Sequence, residues 1–155
     1  MKALDKLKEL HLAKQIKDYP NYPVNYIGPY KHKPNSTNGL TRCVEDFINL
    51  SGYFCERTGN EGRVIDNRKT YTDVIGQRKT IGSVQRIKST QTNGTSDLKA
   101  VIKGQMIAIE IKYGKDSQSK AQKEYQERIE NSGGIYLIVK DFDTFYDWFV
   151  GFIGN

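Results

Sequence analysis

Residues 96–112 read SDLKAVIKGQMIAIEIK. Ile107, Ile109 and Ile111 alternate with other residues, the two-residue period of a strand that lays one face on a core. Yet the same strand carries Glu110 and Lys112, and the segment before it starts at Asp97. Lys103-Gly104 is the predicted turn. A two-residue loop there sets Leu98 opposite Ile109, Ile102 opposite Gln105 and Asp97 opposite Glu110. A bulge would shift that register by one residue.

Side chains alternate faces along a strand, so the hairpin sorts itself. One face collects Leu98, Ala100, Ile102, Ile107, Ile109 and Ile111, the core face. The other collects Asp97, Lys99, Val101, Met106, Ala108, Glu110 and Lys112. Two carboxylates directly opposite each other, with β-carbons about 5 Å apart, repel and destabilise a sheet. A hard divalent cation between them offsets the repulsion, because Mg²⁺ takes carboxylate oxygens. An exposed sheet face with ordinary surface charges reads the same way from periodicity alone. The helices on either side of a second buried strand argue for a sheet covered on both sides, where unpaired carboxylates are costly.

Working outward, Ser117–Asn131 reads as a helix, with Ser119 and Gln122 spaced as a capping box and Gly133-Gly134 closing it. Ile135–Val139 is a buried strand. Asp141–Phe152 is a last helix with Phe142, Phe145, Trp148, Phe149 and Phe152 on its core side. Before the hairpin, 39–51 is a helix with an apolar stripe through Leu40, Cys43, Val44, Phe47 and Ile48, capped by Asn38 or Thr37. Glu45 sits at the edge of that stripe. Residues 53–57 follow as a strand. Residues 2–18 form an amphipathic helix on Leu4, Leu7, Leu10 and Ala13, and 19–39 are a connector holding all four prolines and many tyrosines. Residues 59–94 are polar, β-prone and basic, read as one or two exposed strands or a mobile loop. They are either a solvated insertion or an arm that tracks phosphates.

The chain of 155 residues is long enough for one core, and 37% hydrophobic content argues against disorder throughout. No apolar run approaches the roughly 20 residues that span a bilayer. MKALDKLKELHLAK lacks a signal peptide's apolar segment. Cys43 and Cys55 have no zinc-site spacing and read as reduced core thiols in a cytoplasmic compartment. The net charge of +6 suits a polyanionic partner, nucleic acid before membrane. There is no GxxxxGK[ST] loop, so no nucleotide cofactor is expected. His11 and His32 lie in the first helix and the connector, too few for a histidine-based hydrolase. Gly134-Ile135-Tyr136 and Tyr26-Ile27-Gly28 spell a GIY-YIG signature in reversed order and far apart, and are dismissed.

Gly94-Thr95-Ser96-Asp97, Ile109-Glu110-Ile111-Lys112 and Gln122 on the following helix together resemble the PD-(D/E)XK nuclease superfamily. More narrowly, GTSDL, IAIEIKYGKDSQSKAQ and SGGIYLIVK are similar to the small stand-alone VRR-NUC nucleases of phages. The resemblance covers about residues 40–150. It implies an α/β fold with an αβββαβ core, a central mixed sheet flanked by helices, here with an N-terminal helical extension over residues 1–39. It implies that Asp97 and Glu110 bind Mg²⁺ or Mn²⁺, with the Ile111 carbonyl and Glu45 completing the shell. Lys112 would orient or activate the attacking water, its pKa lowered by the metal's charge, and Gln122 would border the site. One departure is Ser96, where the family usually has proline.

These roles imply a metal-dependent DNA endonuclease, structure-selective for branched, flap or junction DNA, in the host cytoplasm if phage-encoded. Arg57, Arg63, Lys115, Lys120 and Lys123 are the candidate DNA contacts. Nucleases that cut both strands often pair two sites by two-fold symmetry, so a homodimer is expected, with the first helix and the connector as its candidate elements. Two rival readings share the fold. One is a nucleic-acid-binding module that does not cut. The other is a sequence-specific or RNA-directed nuclease, whose substrate choice would rest on residues 59–94.

Overall fold

The computed structural model describes residues 3–28, 31–59, 62–89 and 91–154. Lys2 of the predicted first helix, Tyr30 of the connector and Glu61 of the basic segment lie outside the described residues. The elements run α1 (Ala3–Asp18), a 3-10 turn (Val24–Tyr26), α2 (Thr37–Leu50), β1 (Phe54–Arg57), β2 (Arg63–Asp66), β3 (Lys69–Thr72), β4 (Arg78–Ile81) and β5 (Val84–Ile87). Then come β6 (Leu98–Ile102), β7 (Gln105–Ile111), α3 (Lys120–Asn131), β8 (Ile135–Val139) and α4 (Phe142–Gly154). They fall into two compact units, Met1–Thr58 with Asn93–Asn155, and Gly59–Thr92.

The larger unit is mixed α/β around a sheet of order β1-β6-β7-β8. The β6–β7 hairpin forms with Leu98 opposite Ile109 and Ile102 opposite Gln105, the register that the turn predicts. Lys103 and Gly104 both have positive φ, 52° and 78°, as a type I′ turn requires. β1 pairs antiparallel with β6. β8 pairs parallel with β7, and α3 makes the crossover that a parallel pair needs.

Leu98, Ala100, Ile102, Ile107, Ile109 and Ile111 are buried together with Leu40, Val44, Phe47 and Ile48 of α2 and Phe142, Phe145 and Phe149 of α4. Phe47 packs edge-on against Phe149 and Phe145, with ring centroids 5.1 and 6.1 Å away, so aromatic contacts lock α2 to α4. α1 belongs to the same unit, with Ala3 and Leu7 in its core. Ala13, expected on the apolar stripe, is exposed, because α1 touches the core only through its first turns. The other sheet face is covered only in part. Ala108, Glu110 and Tyr136 are buried where α3 packs, whereas Val101 near the hairpin turn is 44% exposed. Among the described residues no helix is long and apolar enough to cross a membrane.

Several boundaries differ from the sequence-based ones. α2 is capped by Ser36, whose Oγ accepts from Gly39 N at 3.1 Å. Thr37 and Asn38 instead lie inside its first turn, because the backbone stays extended at Ser36 (φ −158°) and coils from Thr37 onward. α3 starts at Lys120 rather than Ser117, since Ser119 is its extended cap. The smaller unit holds four short strands, not one or two. β2 pairs with β5 and β3 with β4, one ladder nested inside the other.

Candidate active site

Glu110 lies near the carboxyl end of β7, at the point where the sheet changes from antiparallel to parallel pairing. Crevices at such ends, where neighbouring connections diverge, are where open α/β sheets bind ligands. Glu110 is 1% exposed, and its carboxylate is met from α3, from β8 and from Lys112 just past β7. Lys112 Nζ stands 3.0 Å from Oε1. Gln122 of α3 donates its Nε2–H to the same oxygen. Tyr136 of β8 donates its hydroxyl to Oε2 at 3.3 Å.

Gln122 joins this pair to the helix cap. Its Oε1 accepts from Ser119 N at 2.8 Å, and Ser119 Oγ accepts from Gln122 N, so the predicted capping box is formed. The same Oε1 accepts from Lys112 Nζ at 3.1 Å. One amide therefore fixes the first turn of α3, the Lys112 ammonium and the Glu110 carboxylate at once. Lys112 also reaches Asp116 Oδ2 at 3.5 Å.

Asp97 enters from the loop before β6. Its Oδ2 accepts from Ile111 N at 2.9 Å, which ties the two strands together beside Glu110. The loop reaches this point only because Gly94 crosses the first turn of α3 in contact. Gly94 has φ +78°, and a β-carbon there would lie 2.2 Å from the Ala121 carbonyl oxygen and 2.7 Å from Gln122 N. Ser96 is fully buried, and its Oγ donates to Leu98 O at 3.0 Å. Thr58 Oγ1 donates to the Ser96 carbonyl, and Thr58 N donates to Asp97 O at 3.0 Å, so the residue just past β1 braces the loop.

The electrostatics follow from burial. Removal from water pushes the Glu110 carboxyl above its ordinary range, and the charge of Asp97 adds to this. Lys112 and Tyr136 pull the other way without cancelling it. Burial acts to lower the Lys112 ammonium, but Glu110 and Asp116 outweigh it and hold its pKa above the ordinary value. Burial also raises the Tyr136 phenol, with Glu110 adding, so it stays a donor.

The side chains of the remaining candidates make no hydrogen bond or ion pair with this network among the described residues. Glu45, half-buried on α2, pairs with Arg57 Nε at 2.7 Å. Both line an open cleft of about 680 Å³ with Asn38, Gly39, Arg42 and Asp46, and its lining includes neither Asp97 nor Glu110. Lys115, Lys120 and Lys123 are exposed around the start of α3. Arg63 is exposed on β2 of the smaller unit. Among the described residues no three His, Cys, Asp or Glu side chains gather as a metal-binding group. Asp97, tied to Ile111 N, and Glu110 come together as a pair of hard oxygen donors. Burial, with the charge of Asp97 adding, makes an ionised Glu110 costly here, and a Mg²⁺ or Mn²⁺ ion taking both carboxylates would offset that cost, so these residues fit such an ion. Tyr136 and Asp116 are contacts that sequence reasoning missed.

Among known proteins, no family model matches the chain and no curated protein matches it. The fold class is that of a mixed α/β protein with a central mixed sheet flanked by helices.

Proposed function

We propose that the chain is a metal-dependent DNA endonuclease of PD-(D/E)XK type, similar to the VRR-NUC enzymes. The observation that carries the reading is the buried Glu110–Lys112 pair, bonded to Gln122 and set beside Asp97 at the end of a central strand. A charged pair is costly to bury, and a fold with no use for it would fill the position with an apolar side chain at no loss.

Asp97 and Glu110 would hold the ion, with the Ile111 carbonyl as a further oxygen donor. A bound Mg²⁺ or Mn²⁺ screens the phosphodiester's charge and lowers the pKa of a coordinated water. Lys112, 3.0 Å from Glu110 Oε1, would orient the attacking water and place positive charge toward the phosphate. Gln122 keeps that ammonium in place through its Oε1. Tyr136 closes the inner side of Glu110 and keeps its second oxygen oriented. Glu45, bound to Arg57, belongs to the cleft wall in this reading and not to the shell. The resemblance to phage enzymes extends the proposal to branched, flap or junction DNA and to a homodimer.

The test is cleavage of a labelled panel (duplex, single strand, flap, four-way junction and supercoiled plasmid) with Mg²⁺, Mn²⁺ or EDTA. Metal-dependent cutting that is lost in Glu110→Ala is the expected result, and the panel names the preferred structure. Binding without cutting under every metal would favour the non-catalytic module instead.

A further inference from the structure

The smaller unit is a two-stranded ribbon. Arg63 pairs with Ile87 and Asp66 with Val84 in the outer ladder, and Lys69 with Ile81 and Thr72 with Arg78 in the inner one. Asn67 N donates to Ser83 O at 3.1 Å between the two ladders, so one antiparallel arm runs from Arg63 to the turn and back. Ten residues at about 3.3 Å each make it up to about 33 Å long, close to one helical turn of B-DNA, about 34 Å. Nearly all of its side chains are exposed. A lone two-stranded arm is marginal in water, which points to a partner surface.

Its charge says what kind of partner. Between Arg63 and Ile87 there are six basic residues and two acidic ones. Both acids are used internally, Asp66 against Arg68 at 2.7 Å and Asp73 against Lys79 at 2.8 Å. Arg63, Lys69, Arg78 and Arg86 have no ion-pair partner among the described residues, so the stem presents uncompensated positive charge. Two such arms would repel each other.

The turn is built to display two aliphatic side chains. Asp73 Oδ1 accepts from Ile75 N at 3.1 Å and Gln77 N at 2.9 Å, and Gly76 N donates to Asp73 O at 3.0 Å. This fixes the backbone while Val74 is fully exposed and Ile75 is 72% exposed. Apolar side chains on basic elements act as wedges between base pairs, partly unstacking a step and bending the duplex. The unstacking is easiest where a branch has already opened the stack.

We propose that the Arg63–Ile87 ribbon is a DNA-gripping arm, its basic stem lying along the phosphates and its Val74-Ile75 tip wedged at an opened base step. The choice of branched DNA rests on the nuclease reading above; the binding does not. The test uses the full chain in EDTA, so that cutting plays no part. The probes are a fluorescein-labelled flap DNA read by anisotropy across a salt series, and the same DNA with 2-aminopurine at the branch.

Lys69→Gln with Arg78→Gln is expected to weaken binding about tenfold or more and to flatten the log–log salt slope by about two. Val74→Ser with Ile75→Ser is expected to leave that slope unchanged while abolishing the 2-aminopurine rise. All four positions are exposed, so thermal midpoints should match wild type. Wild-type slope and wild-type 2-aminopurine signal in these variants would overturn the proposal. So would a tip variant whose only change is a lower mass in light scattering, or an RNA duplex bound more tightly than the DNA. Ribbon effects that persist while wild type fails to cut with Mg²⁺ would support the arm and remove the nuclease reading alone.

Discussion

Lys112 shows how much of the site one residue holds together. Its ammonium meets Glu110, Gln122 and Asp116, and it is nearly as buried as the carboxylate it neutralises. Lys112→Met removes the only cation bonded to Glu110 among the described residues. It should lower stability by about 3–5 kcal/mol, the usual result of stranding one partner of a buried pair. If Asp97 and Glu110 hold a divalent ion, saturating Mg²⁺ should restore much of that loss in the variant and raise wild type far less. Calorimetric melting with and without Mg²⁺ reads both, and a variant deficit indifferent to the ion would count against the site. The grouping of Asp97, Glu110 and Lys112 on one strand face was legible in the alternation around Ile107, Ile109 and Ile111. Tyr136 was not, because its place opposite Ala108 depends on a parallel register that no turn sets. Asp116 was not, because it acts from a loop. The Glu45–Arg57 pair was not, because it depends on how α2 lies across β1.

At the scale of elements, the hairpin was readable because a tight turn and a strict apolar period agree on one register. The cap of α2 was not, since Ser36, Thr37 and Asn38 are all competent caps and only the surrounding packing selects one. The smaller unit's pairing was hidden because its strands bury too little to impose a period. The joint between the GTSD loop and α3 gives a sharp prediction. Gly94→Ala adds a β-carbon against the backbone of Ala121 and Gln122 at a positive φ, so loop and helix must separate. If the chain is a nuclease as proposed, its cutting should fall about tenfold to a hundredfold, and the melting temperature should drop as well. Wild-type cutting by Gly94→Ala would mean that the contact does not position Asp97.

α2 and β1 also carry the two thiols. Burial pushes Cys43 up to about 11 and Cys55 up to about 12 from an ordinary 9.0, with Asp46 adding at the first and Glu45 at the second. Above pH 9 the unfolded chain releases thiol protons that the folded chain keeps. Stability from these groups is therefore complete below pH 9 and falls as pH rises toward 11, by about 1.4 kcal/mol per pH unit for each thiol. Urea unfolding from pH 8 to 10.5 should show that decline in wild type and a shallower one in Cys43→Ala with Cys55→Ala. Equal slopes would show that burial does not hold these protons.

For the whole molecule, the parts divide the work. The unit of Met1–Thr58 and Asn93–Asn155 holds a sheet with a buried charged pair at the end of its central strand β7, and Gly59–Thr92 holds an exposed basic ribbon. The net charge of +6 is the property of the whole chain that sequence alone gives without ambiguity, and it favours polyanions of any kind. The proposed phosphodiester chemistry rests instead on the buried Glu110–Lys112 pair and on Asp97 beside it. The most direct measurement is a calorimetric titration of Mn²⁺ into wild type, Asp97→Asn and Glu110→Gln, each confirmed folded by its melting curve. The account predicts binding to wild type that both substitutions abolish. Equal Mn²⁺ binding by all three proteins, or none by wild type, would contradict it.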